Sequence, residues 1–366
     1  MITTHGIHHI TSVVGHPQED LDYNAGVMGL RLLKQTLNYD DKDSIHLYYG
    51  NDKGNTGVTT TFPLMDADDG EVGGGQVSRI QYGVRPGQLS YWEERLQRFK
   101  LKTEQTSLMG KKNLAFSDPT GLQIGLLETE QGPDNSWSFA GVGGEQAITG
   151  IYSATLRSKR PEETLEVLTD ILGYKVTDED DEYYQLTIHE NFGGTLYLEK
   201  QAYPLGKMGK GTVHHIALTI KNDEIESWLE RLKEKGQRHT EIRDRYYFRS
   251  IYFRESGGIL IELATEGPGF TIDETADSLG STFIVPEAYK DEEEEILAEL
   301  MPLEVREVDE LGSYGYRNRE EYEIWKRRNE IRSEINEYSK IQSERSLSED
   351  EQEELAELRR AFMSTK

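Results

Sequence analysis

Two adjacent histidine pairs, His8–His9 in GIHHITSVV and His214–His215 in GTVHHIALTI, stand far apart in the chain but in almost the same local setting. Each pair opens a segment that reads strand, helix, then shorter strands. Two further segments repeat that order without histidines at the start. Module 1 starts at Gly6 and has a helical stretch near Gln18–Met28. Module 2 starts at Val77, with a helix over Leu89–Phe99 and the closing strand NLAFSDPTGLQIGLLE. Module 3 starts at Ala147, with a helix over Pro161–Leu172, and ends on GGTLYLE. Module 4 runs from Gly211 to Glu262, with a helix over Asp223–Lys235. A unit of this kind cannot bury its apolar sheet face alone, so a repeat constrains the chain to fold by pairing units.

The helices carry the required apolar stripe. In module 4, Ile225, Trp228, Leu229 and Leu232 fall at i, i+3, i+4 and i+7, with charges on the other faces. Before their last strands, modules 2 and 4 carry hairpin signals, Asp118-Pro-Thr-Gly and Glu255-Ser-Gly-Gly. Gly-rich breaks at residues 66–75 and 129–146 divide the sequence into residues 5–130 (modules 1 and 2) and 147–270 (modules 3 and 4). Residues 271–366 form a largely helical C-terminal extension, with Ile324, Ile331, Ile335 and Tyr338 on one helix side. Ser348 and Glu351 spell a capping box for a last helix. This extension is expected to pack on the core or on a neighbouring subunit, which would make a homo-oligomer. The expected fold class is α+β.

The chain has nine histidines and no cysteine, which removes disulfides, thiolate nucleophiles and Cys-ligated metal and fits a cytoplasmic protein. A net charge of −26 argues against nucleic-acid and membrane partners, because phosphate backbones and anionic lipid would be repelled. No apolar run approaches the length of a membrane span.

Strand alternation lets only one histidine of each pair enter a common pocket. His214 shares a face with bulky Ile216, Leu218 and Ile220, whereas His215 shares one with Ala217 and Thr219, which leave room for a cavity. His9 likewise shares a face with Thr11. The carboxylate is Glu262, flanked by Ile261 and Leu263 in the last strand of module 4, where an unpaired buried charge would be costly and a metal would offset it. At the corresponding place module 2 has Gly125 and module 3 has Leu198. Modules 1 and 4 are therefore expected to meet, and modules 2 and 3 to form a metal-free counterpart. His9, His215 and Glu262 make a two-histidine, one-carboxylate set with open positions, a pattern typical of non-haem Fe(II) oxygenases.

GIHHIT, GTVHHIAL and GGILIEL, on this modular pattern, resemble the vicinal oxygen chelate superfamily. HLYYG (46–50), TTFP (60–63) and the GFT-DE segment (269–274) are similar to its hydroquinone-type ring-cleaving dioxygenases. The resemblance covers about residues 5–280. It implies two glyoxalase-like domains and Fe(II), with Mn(II) the alternative, on His9, His215 and Glu262. It also implies supporting roles for His8, Thr11, His214, Arg245 and Tyr252, and a small aromatic substrate opened by O2 to a semialdehyde acid. A phenol at Tyr252 could donate to the reacting oxygen, and Arg245 could hold an anionic oxygen or form a surface ion pair. His8 and His214 are in tension with alternation, which turns them from the cup. His46 reads as structural or surface. Competing readings are a glyoxalase-type isomerase, a thiol transferase acting on an epoxide, and a non-catalytic protein that sequesters a ligand. The first needs a fourth protein ligand that GVTTTFPL does not offer.

Overall fold

A computed structural model describes residues 2–189, 192–312 and 319–365. Module 1 supplies β1 (Ile7–Val14), α1 (Pro17–Leu21), β2 (Arg31–Asn38), β3 (Asp41–Gly50) and β4 (Val58–Pro63). Module 2 supplies β5 (Gln76–Val84), α2 (Leu89–Arg98), β6 (Thr103–Leu108), β7 (Lys111–Ser117) and β8 (Gln123–Glu128). Module 3 has β9 (Gly150–Ser158), α3 (Pro161–Glu166), β10 (Lys175–Glu179), β11 (Tyr183–Thr187) and β12 (Thr195–Ala202). Module 4 has β13 (Thr212–Ile220), α4 (Ile225–Glu234), β14 (Arg243–Asp244), β15 (Phe248–Arg254) and β16 (Leu260–Pro268). The chain continues through β17 (Phe283–Ile284), α5 (Glu293–Glu299), α6 (Arg319–Glu344) and α7 (Glu349–Ser364).

Two curled sheets result. The first has the order β14-β15-β16-β13-β1-β4-β3-β2-β17 and the second β10-β11-β12-β9-β5-β8-β7-β6. Hydrogen bonding therefore crosses the division of the sequence at residues 129–146. Module 1 shares a sheet with module 4, and module 2 with module 3. In each sheet the first strands of the two modules, β1 with β13 and β5 with β9, run antiparallel at the centre. The helices close the outer faces. Ile225, Trp228 and Leu232 of α4 are fully buried, as the stripe in the sequence requires. The first and third helical stretches differ from expectation: each passes into a π-helical turn, Asp22–Val27 and Val167–Ile171.

Both hairpins before the last strands are built on a carboxylate. Asp118 Oδ1 accepts from Thr120 N at 2.8 Å and Leu122 N at 2.9 Å, and Glu255 Oε1 accepts from Ile259 N at 2.7 Å. Each side chain satisfies backbone donors that the turn leaves unpaired.

Residues 1–286 with 305–312 form one compact unit, and residues 287–304 with 313–366 a second. The boundary read at residue 271 from the change in composition moves to residue 287. Segment 271–286 belongs to the sheet unit because β17 adds to β2 in parallel, pairing Phe283 with Gln35. Lys34 of β2 is fully buried and holds Asp273 and Glu274, the latter at 2.6 Å, while the Tyr247 hydroxyl donates to Asp273 at 2.9 Å. In the second unit, Ser348 caps α7 and shares a reciprocal capping box with Glu351, as the sequence predicts. Trp325 Nε1 donates to Glu299 O at 3.1 Å, tying α6 to α5. Among the described residues no helix is long and apolar enough to cross a membrane.

One core carboxyl yields a test of pH dependence. Asp20 on α1 is buried, accepting from Tyr49 at 2.9 Å and Thr61 at 2.6 Å. Burial pushes its pKa up to about 7, against the pull of those donors. The folded state thus holds this proton more tightly than the unfolded chain. Its contribution to stability is present below the unfolded value of about 4 and is lost as pH rises to about 7. Asp20→Asn should flatten the fall in denaturation midpoint between pH 5 and pH 8 relative to the parent. An unchanged slope would show that Asp20 does not titrate there.

Candidate metal centre

Three neighbouring strands of the first sheet, β1, β13 and β16, place the candidate ligands. His9 pairs with Ala217 across β1 and β13, Thr11 pairs with His215, and Ala217 pairs with Glu262 across β13 and β16. His9, His215 and Glu262 consequently fall on one cup face, all buried, and Glu262 is fully so. His9 Nε2 lies 3.1 Å and His215 Nε2 2.9 Å from Glu262 Oε2, and the two nitrogens are 3.2 Å apart. Donor atoms holding one ion by bonds of about 2.1 Å at right angles lie about 3 Å apart. The three atoms therefore have the spacing of one face of an octahedral ion.

The electrostatics agree with that geometry. Burial alone would raise the Glu262 carboxyl, but His9 and His215 outweigh it and hold the group well below the usual carboxylate range. Although Oε2 lies within 3.1 Å of both imidazole nitrogens, neither approach has hydrogen-bond alignment, and both carboxylate oxygens are left without a donor. An ionised, fully buried carboxylate without donors is expensive, and a divalent cation is a partner that would satisfy it.

His8 and His214, which alternation turns away, are brought back by β-bulges. Between β1 and β13 the register slips once between Ile7 and His9 and once between Thr11 and Ser12, so His8 and His214 are the extra residues. A bulge re-aims the side chain it carries. His8 Nδ1 then lies 2.8 Å from His9 Nδ1, and His214 Nδ1 2.7 Å from His215 Nδ1. Burial lowers both His8 and His214 to about 3, so each is a neutral ring able to accept the Nδ1–H of its neighbour. That leaves the neighbour's Nε2 lone pair free for a metal.

Thr11 Oγ1 is 3.0 Å from His215 Nε2 and 2.7 Å from Thr60 Oγ1. Thr60 is 2.9 Å from His46 Nε2, whose Nδ1 is 3.0 Å from the Tyr48 hydroxyl. His46, read from sequence as structural or surface, is therefore a buried wall of the cavity. Its alternation with Tyr48 in HLYYG was the available signal. Thr60 pairs with Thr11 and so occupies, in module 1, the place Glu262 has in module 4. The absence of a fourth ligand there is thus structural as well as sequential. In the second sheet, Gly125 holds that place as expected, but in module 3 it is Tyr197, opposite Thr155, rather than Leu198.

Tyr252 pairs with Glu262 across β15 and β16, and its ring stands 5.7 Å from that of His215. Arg245 reaches the cavity rim but is engaged: Nη2 donates to Asp40 Oδ2 at 2.6 Å, and the guanidinium lies over Tyr252. The cavity has a volume of about 500 Å³. Val13, Phe62, Leu64, Met208, Phe248 and Leu260 make its apolar wall, facing His9, His46, His215 and Tyr252. A larger cavity of about 900 Å³ adjoins it behind Phe248 and His8 but contains none of the three candidate ligands.

The sequence profile of the Glyoxalase/Bleomycin resistance protein/Dioxygenase superfamily matches residues 150–263. A Bacillus subtilis protein called "Putative ring-cleaving dioxygenase MhqO" is 41% identical over 308 residues, covering 84% of this chain and 99% of its own. The chain belongs to this superfamily. The chlorohydroquinone/hydroquinone 1,2-dioxygenase of Sphingobium indicum is 33% identical over 305 residues, covering 78% of this chain and 94% of its own. A crystal structure of a Bacillus subtilis homologue superposes with a TM-score of 0.82 at 40% identity, covering 84% of this chain and 100% of that one. That coverage makes the two curled sheets the common architecture.

Proposed function

We propose that this superfamily member is a cytoplasmic Fe(II)-dependent ring-cleaving dioxygenase, in which His9, His215 and Glu262 hold the metal and O2 opens a hydroquinone- or catechol-like ring. The observation that carries this reading is the fully buried Glu262 carboxylate, without hydrogen-bond donors and about 3 Å from two imidazole nitrogens. The names of the relatives supply the reaction class. The ligand set accepts Mn(II) as well as Fe(II). Bound there, the metal would supply the one-electron chemistry that an aromatic ring and O2 need in order to react with each other.

The chain's own residues then have distinct tasks. The apolar wall from Phe62 to Leu260 admits a ring and excludes water from its faces. His8 and His214 fix the tautomer and orientation of His9 and His215, a positioning role that their neutral state suits better than proton transfer. Thr11 packs beside His215 and hydrogen-bonds Thr60, which reaches His46, holding the cup floor together. Tyr252 stays protonated because burial raises its pKa, and it offers a hydroxyl beside Glu262 to a substrate oxygen. Arg245, neutralised by Asp40, holds Tyr252 from the rim.

Oxygen uptake by Fe(II)-reconstituted protein, prepared anaerobically and given hydroquinone and then catechol, tests the reading. Uptake with at least one is expected. No uptake with either, despite bound iron, would exclude it. Tyr252→Phe should slow ring cleavage by about 10²- to 10⁴-fold with iron content unchanged, the range for loss of a positioned proton donor. A rate within twofold of the parent would reduce Tyr252 to a packing residue.

A further inference from the structure

The second sheet repeats the bulges of the first, and this permits a residue-by-residue comparison of the two cups. The β5–β9 register slips between Val77 and Arg79 and again between Gln81 and Tyr82. Arg79, paired with Thr155, therefore stands where His9 stands opposite Ala217, and Ser153, paired with Gln81, stands where His215 stands opposite Thr11. The close approach of Thr11 to His215 has its counterpart in Ser153, which donates to Gln81 Oε1 at 3.2 Å. Tyr197 takes the place of Glu262. The set of two imidazoles and a carboxylate becomes a guanidinium and two hydroxyls, so ligands for a cation are replaced by donors for an anion.

The metal position itself is plugged. Gln81 Nε2 donates to Thr155 Oγ1 at 2.7 Å, and a Cβ on Gly125 would meet Asn113 Oδ1 at 2.4 Å, so only glycine leaves space for that packing. Leu108, Leu127, Tyr152 and Tyr197 fill one end of the cup. A cavity of about 350 Å³ remains beside them, and its charged lining residues are Arg79, Arg157 and Glu199. Glu199 is already committed: Oε1 accepts from Ser78 at 3.0 Å and from Arg157 Nε at 2.9 Å, and Arg157 also stacks on Tyr203. Arg79 is not. Its Nε is buried without a hydrogen-bond partner, and it forms no ion pair among the described residues.

We propose that this cup binds a small organic carboxylate, with Arg79 as its anchor and the Thr155 hydroxyl, whose own proton is not committed, beside it. A planar guanidinium matches a carboxylate by two parallel hydrogen bonds. The choice of a monoanion follows from Glu199, which leaves the cavity one positive charge in excess and repels a dianion. In a chain of net charge −26, an uncommitted arginine in a concave site is a local inversion of the surrounding field, and it concentrates anions there. The inference does not depend on the reaction at the first sheet.

Acetate, succinate, benzoate and inorganic phosphate, each titrated into the full chain and followed by ligand-observed NMR up to tens of millimolar, test it. Acetate or benzoate should bind, and more tightly than the dianion succinate or than phosphate. Arg79→Gln should weaken that binding at least tenfold without altering iron uptake, and Arg79→Lys should fall between the two. Arg245→Gln, at the metal cavity, should leave it unchanged. The proposal is overturned if neither acetate nor benzoate binds, if succinate or phosphate binds best, if Arg79→Gln binds like the parent, or if Arg245→Gln rather than Arg79→Gln removes binding. Matching circular dichroism and melting curves for Arg79→Gln and Arg79→Lys exclude loss of fold as the cause.

Discussion

Glu262→Gln is expected to abolish ring cleavage and to lower metal affinity by well over about a hundredfold, since loss of a mere supporting partner already costs about 10- to 100-fold. The same substitution should lower the stability of the metal-free protein near neutral pH. The carboxylate is fully buried, and His9 and His215 hold it ionised well below the usual carboxylate range, so neutralising it removes an attraction present only in the fold. The two effects separate in one experiment. Melting curves in chelator should show the variant below the parent. Added Fe(II) should raise the parent's melting temperature, because a ligand stabilises the state it binds, and should leave the variant where it was. A parent that Fe(II) does not shift would mean that Glu262 is only a structural partner of the two histidines and that no metal is needed to explain it.

Lys34→Met should cost the sheet unit about 3–5 kcal/mol, the usual result of removing one partner from a buried ion pair. At about 2–4 °C per kcal/mol, this corresponds to a fall of roughly 6–20 °C in melting temperature. The magnitude follows from what the ammonium holds. It is fully buried, contacts both Asp273 and Glu274, lies 5.2 Å from the Tyr247 ring centroid, and fixes the segment that leads into β17. Lys34→Met combined with Asp273→Asn and Glu274→Gln should recover most of the loss, since the charges left behind are the main cost. Equal melting temperatures for the single and triple variants would show that packing around Tyr247, and not charge, holds the segment.

How far the sequence could be read depended on the range of the interaction. The repeat, the amphipathic helices, the carboxylate-started hairpins and the Ser348 cap depend on residues a few positions apart, and they are legible. The candidate ligands were too, because strand alternation separates His9 and His215 from their bulkier-faced neighbours. Alternation turned His8 and His214 from the cup, and only the family resemblance named them. A bulge belongs to the pairing of two strands that lie two hundred residues apart in the chain, and alternation along one strand cannot show it. Thr60 and His46 were missed for the same reason, since their place in the cup depends on the β1–β4–β3 register. The boundary at residue 271 followed composition, whereas the fold follows the buried Lys34 cluster across to Glu274 and β17.

Ring cleavage in the first sheet's cup would place both atoms of O2 in the product. A single turnover of the Fe(II)-loaded protein with hydroquinone under isotopically labelled dioxygen, followed by mass spectrometry of the product, measures this. One ring-opened semialdehyde acid carrying both labelled atoms is expected, and none from the Glu262→Gln variant. Unlabelled benzoquinone formed with hydrogen peroxide would contradict ring cleavage, because the ring would then have been oxidised without being cut.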